Sequence, residues 1–202
     1  YYDGADPDDI WAVKSAGIDP SNGKELFYAK DGSYTYDFSY DDEVVCGNSR
    51  PDLEGVIGSS LNWKGFSVSL NFRYQMGADV FNEALYSKVE NISRSDLNKN
   101  QDKRALYERW QEEGDIVRFK NIASAETTPM SSRFVQEENV LTLESVYLGY
   151  EFYDGWIKKL GLSSLKFQVS MRDVFRASTI RSERGIAYPF ARSMEAGLSF
   201  NF

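Results

Sequence analysis

The chain has 202 residues, and its 23 lysines and arginines against 31 aspartates and glutamates give a net charge of −8. This acidic balance disfavours nucleic-acid binding, which requires a basic surface to displace phosphate counterions. Because the sequence contains no histidine, it excludes a Ser-His-Asp triad, a Cys-His pair and a His-ligated zinc site within the chain. No apolar stretch approaches the roughly 20 residues of a spanning helix, whereas a strand barrel with a polar lumen remains compatible with the composition.

The two ends of the chain differ in character. It begins Tyr1-Tyr2-Asp3, without a methionine or a signal-like segment, and it ends on a strongly patterned strand at Phe202. We therefore expect a fragment that lacks its beginning and keeps its natural end.

The first long polar segment, 17–52, contains one hairpin signal. Phe27-Tyr28-Ala29-Lys30 and Tyr34-Thr35-Tyr36 flank Asp31-Gly32, a dipeptide typical of tight hairpin turns. The remainder of the segment is predicted to be loop. Its tyrosines could stack on a sugar ring or a peptide, but such residues at least as often pack within their own hairpin: Tyr28, Tyr34, Tyr36 and Tyr40.

A second hairpin follows, in which apolar and polar side chains alternate strictly. From Phe66 to Met76 the even positions are apolar or aromatic and the odd positions are polar, and 57–63 shows the same period. Lys64-Gly65 supplies a two-residue connection between the two runs. The segment 77–132 is then long and polar. Its spacing predicts helical turns around Val80–Ser87 and over Arg104–Trp110.

Three more strands are predicted in the last third of the chain. One runs to Phe152, with a β-bulge near Glu144-Ser145 where the apolar positions change parity. After a turn over 153–164 that contains a short amphipathic helix, a strand covers 165–172. The last strand runs from Ser193 to Phe202, with apolar side chains on one face only.

Alternation alone fits either a lipid-facing barrel or a soluble β-sandwich. Strands of about ten residues suit a tilted membrane crossing, and aromatic side chains bracket the apolar bands as they do at membrane interfaces. Both features favour the barrel. A soluble all-β domain that binds or hydrolyses carbohydrate is the alternative.

From about Ala12 to Phe202 the chain also resembles the C-terminal portion of SusC/RagA-family TonB-dependent outer-membrane transporters. The matching motifs occur in the family's order, each at a strand end or turn: Gly17-Ile18-Asp19-Pro20 with Asn22-Gly23, Lys64-Gly65-Phe66, Arg109-Trp110 with Gly114-Asp115, Ser131-Ser132-Arg133-Phe134-Val135, Leu148-Gly149-Tyr150, Gly161-Leu162, Val174-Phe175, Tyr188-Pro189 with Arg192, and the terminal phenylalanine. Individually these motifs are weak, but nine in order are a strong joint signal.

The resemblance implies an all-β fold: an antiparallel transmembrane barrel of about 22 strands around an N-terminal plug, of which this chain supplies the last five or six. It further implies a location in the bacterial outer membrane, energy from the TonB complex through the plug, and a SusD-like surface lipoprotein over the mouth. The implied function is import of oligomeric nutrients, without enzymatic chemistry or a cofactor. Segments 17–52 and 77–132 are too long for periplasmic turns and are expected to be extracellular loops, with 153–164 as a periplasmic turn.

The chain departs from the family pattern at several positions. Thr142 replaces a frequent arginine, Glu113 a common proline and Asp173 the usual asparagine, and 181–185 is basic where an acidic motif is often found. These departures leave both a glycan and a peptide open as the substrate.

Candidate contact residues follow from the strand parity. On the lumen side we expect six side chains that line the pore and contact either a passing substrate or the plug: Asn71, Arg73, Gln75, Gln168, Arg172 and Glu195. No catalytic, metal or cofactor residues are predicted. The acidic groups at Asp3–Asp9 and Asp41–Glu43 lack the spacing of a calcium loop and are interpreted as solvated. Cys46 has no neighbouring base or cation and is expected to be inert.

Overall fold

The computed structural model describes residues 4–121, 123–124, 126–153, 155–180 and 192–202. Among these, the chain forms two compact units, one of residues 4–51, 78–138 and 180, and one of residues 52–77, 139–179 and 192–202. Asp3, the basic segment 181–185 and the Tyr188-Pro189 motif lie outside the described residues.

The first unit contains five short strands: β1 (Asp9–Val13), β2 (Ser15–Ile18), β3 (Glu25–Tyr28), β4 (Tyr34–Thr35) and β5 (Glu43–Asn48). Strands β2, β3 and β4 form one antiparallel sheet, and β1 pairs with β5 in another. The hairpin predicted around Asp31-Gly32 is therefore confirmed as β3–β4. Strand β5 and the end of β2 also lie in segment 17–52, where the sequence pattern does not indicate strands.

Short helices complete the first unit: 3₁₀ turns at Tyr40–Asp42, Arg94–Asp96 and Ser132–Phe134, a π-helix at Leu85–Glu90 and an α-helix at Arg104–Tyr107. The predicted helical turns are thus present, with two corrections. Val80 lies in a strand, and the α-helix ends three residues before Trp110 because the backbone of Glu108 leaves the helical region, with φ −113° and ψ 30°.

The hydrophobic core of the first unit lies around the π-helix. Leu85 and Val89 pack with buried residues from the rest of 78–138: Ala105, Phe119 and Phe134. Tyr86 meets Phe134 edge to face, with ring centroids 5.2 Å apart. This core fixes the π-helix against the start of the strand that follows Phe134.

The second unit is built around a five-stranded sheet in the spatial order β10-β9-β8-β7-β6. The strands of this sheet are β6 (Leu53–Trp63), β7 (Phe66–Phe81), β8 (Val135–Phe152), β9 (Ser164–Ser178) and β10 (Ser193–Asn201). Residues 78–81 of β7 and 135–138 of β8 belong to the first unit. An α-helix at Trp156–Lys159 connects β8 to β9, as the amphipathic spacing predicts. All five predicted strands are confirmed. Among the described residues, no helix is sufficiently long and apolar to cross a membrane.

Strand β7 continues five residues beyond the predicted end at Met76. Gly77 adopts a φ of +79°, and its backbone N–H donates to Asn139 Oδ1 at 2.9 Å rather than continuing a regular ladder. The left-handed glycine interrupts the alternation of side chains, so the sequence pattern ends at Met76 although the strand continues to Phe81.

The predicted β-bulge is present, but the extra residue lies in the neighbouring strand. Leu143 is paired with Phe175 and Ser145 with Arg172, so Glu144 alone faces two residues of β9. One of the two, Asp173, has a φ of +51°. Asparagine and aspartate tolerate this left-handed conformation better than other non-glycine residues.

Candidate functional site

One face of the five-stranded sheet, termed the polar face, carries the predicted lumen residues. Asn71 on β7 donates from Nδ2 to Ser145 Oγ on β8 at 2.9 Å. Ser145 lies opposite Arg172 on β9, which in turn lies opposite Ser193 on β10. Because directly opposed residues in an antiparallel sheet share a face, these four side chains form a row across four strands.

A second row contains the charged pair of the polar face. Arg73 Nε lies 2.5 Å from Glu144 Oε1, beside the bulge, with the two side chains 50% and 36% exposed. Gln75 Nε2 lies 3.4 Å from Glu54 Oε2 on β6. The carboxylates therefore satisfy donors on β7 while most of this polar surface remains open to a ligand.

Gln168 occupies a notch between two glycines. It lies opposite Gly149 on β8 and Gly197 on β10, and Tyr147 donates its hydroxyl hydrogen to Gln168 Oε1 at 3.2 Å. A β-carbon at Gly197 would lie 3.2 Å from Gln168 Nε2, which is tighter than ordinary van der Waals contact. The glycines thus give the amide room to lie along the sheet.

Glu195 completes the set. It is paired with Ser170, and Ser170 with Tyr147, so it lies on the same face as the Tyr147–Gln168 hydrogen bond. The structure therefore places all six predicted residues on one face of one sheet: Asn71, Arg73, Gln75, Gln168, Arg172 and Glu195.

The opposite face of the sheet, termed the apolar face, is continuous across the strands. One row joins Leu198, Phe167 and Tyr150, and the next joins Phe200, Leu165 and Phe152. At this end of the sheet the rings of Phe152 and Trp156 lie 5.9 Å apart. Large side chains on this face remain exposed: Leu61 (61%), Leu198 (60%) and Phe200 (53%). Exposed apolar surface of this extent indicates contact with lipid or protein.

In the first unit, motifs far apart in the sequence meet at one turn. Trp110 donates from its indole Nε1 to the carbonyl of Pro20 at 2.9 Å, and the Gly114 N–H donates to the same carbonyl at 2.9 Å. A β-carbon on Gly23, whose φ is +70°, would stand within 2.5 Å of the Trp110 ring. The Asp19–Gly23 turn therefore packs against Trp110 and accepts its indole hydrogen bond.

A buried charge cluster also lies in the first unit, and the sequence patterns do not reveal it. Arg133 Nη2 lies 2.8 Å from both Glu25 Oε2 and Glu90 Oε1. Ser131 Oγ donates to Glu25 Oε1 at 2.5 Å, and Thr128 Oγ1 donates to Glu90 Oε1 at 2.8 Å. Burial alone would lower the pKa of Arg133, but the hydrogen bonds and negative charges of the two carboxylates outweigh it and raise that pKa.

A second buried arginine supports this cluster through the backbone. Arg109 donates from Nε to the Ala105 carbonyl at 2.7 Å and from Nη1 to the Lys120 carbonyl at 3.0 Å, and its Nη2 reaches the carbonyls of Val89 and Glu90. Burial lowers the pKa of Arg109. Carbonyl groups around a guanidinium hold several chain segments at once, so Arg109 fixes the end of the π-helix.

The loop tyrosines and acidic residues mostly serve local structure. Tyr28 and Tyr34 pack on each other with centroids 4.9 Å apart, and Tyr36 donates its hydroxyl hydrogen to Asp19. That hydrogen bond, followed by those from Ser21, lowers the pKa of Asp19. Burial raises the pKa of the Cys46 thiol, which disfavours a reactive thiolate.

Comparison with known proteins agrees with this geometry, although no family model matches the chain. The sequence is 24% identical over 171 residues to TonB-dependent receptor P39 of Formosa agariphila, covering 83% of this chain and 16% of the receptor. It is 24% identical over 169 residues to TonB-dependent receptor P3 of the same organism, covering 84% of this chain and 16% of that receptor. The chain thus spans about one sixth of the length of these curated relatives.

The fold matches solved structures of the RagAB peptide transporter. The TM-score is 0.75 at 20% identity for one structure of this transporter, covering 96% of this chain and 23% of that one. For the open-open state of the RagAB peptide importer the TM-score is 0.73, again at 20% identity, with 96% and 22% covered.

The fold, together with the polar face and the apolar face of the sheet, defines a segment of a transmembrane β-barrel. The resemblance to SusC/RagA-type TonB-dependent transporters is confirmed by the two receptors and by the RagAB structures, as is the bacterial outer membrane as the location of this type of protein. The similar proteins are receptors and an importer, not enzymes.

Proposed function

We propose that this chain forms part of the barrel of a TonB-dependent importer that carries oligomeric nutrients across the bacterial outer membrane. The observation that carries the proposal is the two-faced sheet, with a continuous apolar face on one side and hydrogen-bonded polar side chains on the other. A wall between lipid and an aqueous lumen needs this combination.

In this function the six polar-face residues line the lumen. Most of their surface lines the pore without making a specific contact, and the remainder contacts the substrate or the plug. Arg73 and Arg172 together with Glu144 and Glu195 present both signs of charge on this part of the wall. The amide of Gln168, set between glycines, offers a donor and an acceptor to sugar hydroxyls or peptide groups alike.

The proposed import function also implies a set of partners. The plug and the earlier barrel strands belong to the remainder of the transporter, which also reaches the TonB complex. Segments 17–52 and 77–132 lie outside the cell and contact a SusD-like surface lipoprotein, and 153–164 forms a turn on the periplasmic side. Outer-membrane lipid covers the apolar face. A glycan and a peptide both remain candidates, and a peptide is what the similar RagAB importer carries.

The soluble carbohydrate-binding or hydrolytic domain is disfavoured by the apolar face. A soluble sandwich buries its inner face, whereas Leu61 and Leu198 remain about 60% exposed. We therefore assign no catalytic role to the carboxylates of the polar face.

Growth of the parent bacterium with the gene deleted tests the proposal. The mutant should lose growth on one class of polymer, either oligosaccharide or oligopeptide, while growth on the corresponding monomers is unchanged. Restoring the gene should restore growth only in a strain with functional TonB. Unchanged growth on every polymer, or recovery of the protein in the soluble fraction, would refute the assignment.

A further inference from the structure

One guanidinium in the first unit connects segments that are far apart in the sequence. Arg133 lies in the 3₁₀ turn Ser132–Phe134 that precedes β8, Glu25 begins β3, and Glu90 ends the π-helix. The side chains of Arg133, Glu25 and Glu90 are only 11%, 5% and 0% exposed. The cluster therefore lies inside the unit, where an unpaired charge would be strongly unfavourable.

Both carboxylates bind the same nitrogen of Arg133. Its Nη2 lies 2.8 Å from an oxygen of each, while its Nε reaches Glu25 Oε1 at 3.2 Å and its Nη1 donates to the Arg118 carbonyl at 2.6 Å. The guanidinium also lies over the Phe134 ring, 4.6 Å from the centroid. Because these contacts hold the plane of the guanidinium, it cannot turn toward one carboxylate without weakening its bond to the other.

The other partners of the two carboxylates do not link them. Ser131 bonds Glu25 and Thr128 bonds Glu90, and in the part of the chain that the structure describes Arg133 is the side chain that hydrogen-bonds both. Glu25 lies in segment 17–52 and Glu90 in segment 77–132, so the connection between these particular side chains passes through Arg133.

We propose that Arg133 is a positioning residue that couples segments 17–52 and 77–132, so that ordering or displacement of one is transmitted to the other. A ligand or partner that contacts either segment then acts on both. Coupling of this kind is reciprocal, because each segment affects the other by the same free energy. The coupling does not depend on the proposed import function and can be tested without it.

Hydrogen exchange followed by mass spectrometry on the intact protein provides the test. Glu90→Gln should raise amide exchange by about tenfold not only around residue 90 but also in β3, and Glu25→Gln should raise it by a similar factor in the π-helix Leu85–Glu90, since hydrogen bonds to charged groups are among the stronger ones in folded proteins. Glu108→Gln is the matched control, because Glu108 is 41% exposed and its paired cation, Arg118, lies 3.7 Å away. It should leave both segments unchanged.

Arg133→Lys provides an independent readout. A lysine keeps the positive charge but lacks the planar fork, so exchange in β3 and in the π-helix should rise together. If each glutamine variant affects its own segment alone, or if Arg133→Lys loosens only one of the two, the coupling does not exist. If a glutamine variant cannot be recovered folded, the Arg133→Lys result decides. If a variant loses uptake while amide exchange in the other segment is unchanged, the coupling is contradicted and the proposed import function still stands.

Discussion

The carbonyl oxygen of Glu151 lies in the space that a β-carbon on Gly65 would fill, and the Gly65 carbonyl accepts the Glu151 N–H at 2.8 Å. Lys64 and Gly65 form the β6–β7 turn with φ values of +47° and +87°. The glycine is thus required both by its left-handed backbone and by the strand beside it.

Gly65→Ala should therefore lower the thermal unfolding temperature of the intact protein in detergent. The left-handed conformation alone costs alanine about 1–2 kcal/mol, and the clash with Glu151 adds to this. Lys64→Asn is the control, since asparagine accepts a positive φ and no neighbour is displaced. Equal unfolding temperatures for Gly65→Ala and the native protein would show that the turn moves freely away from β8.

Strand parity on β7 should decide which arginine substitutions are tolerated. Leu70 lies on the apolar face opposite Ser59, and Ser69 on the polar face, where its hydroxyl is 3.0 Å from that of Ser60. Leu70→Arg should impair membrane assembly, because an arginine facing lipid near the midplane costs roughly 2–4 kcal/mol, whereas Ser69→Arg should assemble normally. Quantifying folded protein in the outer-membrane fraction gives the comparison, and similar yields for both variants would contradict the assignment of the two faces.

Asp173 supplies a prediction about the bulge. Its φ of +51° suits asparagine equally well, so Asp173→Asn should leave the unfolding temperature unchanged. Asp173→Val should lower stability by about 1–3 kcal/mol, since a β-branched residue is strained in the left-handed region. If valine is tolerated as well as asparagine, the bulge does not impose this backbone conformation on residue 173.

The strands could be predicted from the sequence because one face of each is apolar. Over Phe66–Met76 and Ser193–Phe202 the side-chain period of two leaves little ambiguity, and the parity change before Val146 indicates the bulge. Which strand holds the extra residue could not be predicted, because it depends on pairing with Phe175 and Arg172 rather than on local pattern.

The structure of the first unit was much harder to predict from the sequence. Strand β5 has no alternating face and is held by backbone pairing with β1, 30 to 39 residues earlier. The two carboxylates on Arg133 are 108 and 43 residues away, so no local spacing indicates them. The available signal was the Ser131-Ser132-Arg133-Phe134-Val135 motif, in which a charged residue interrupts a segment that becomes buried.

Acid should release the turn around Asp96. Hydrogen bonds from Lys99 and Ser93 hold the pKa of Asp96 at about 2, below its ordinary 3.8. A lowered pKa in the folded state means that the carboxylate stabilises the turn fully above pH 3.8 and loses this effect as pH falls through 2. Protection factors of the 93–99 amides, which correct for the pH dependence of intrinsic amide exchange, should fall between pH 4 and pH 2 in the native protein. In Asp96→Asn these protection factors should already be low at pH 4 and change little, and a parallel response of both proteins would contradict this origin.

Cysteine accessibility along β7 tests the central claim most directly. In the intact protein in outer membranes, with Cys46 and any cysteine outside this chain replaced by serine, single cysteines at consecutive positions from Ser67 to Tyr74 are exposed to a water-soluble maleimide. The two-faced barrel wall predicts labelling at the odd positions, 67, 69, 71 and 73, and protection at the even positions, 68, 70, 72 and 74. Labelling at both parities, or at neither, would contradict a strand with lipid on one side and an aqueous lumen on the other.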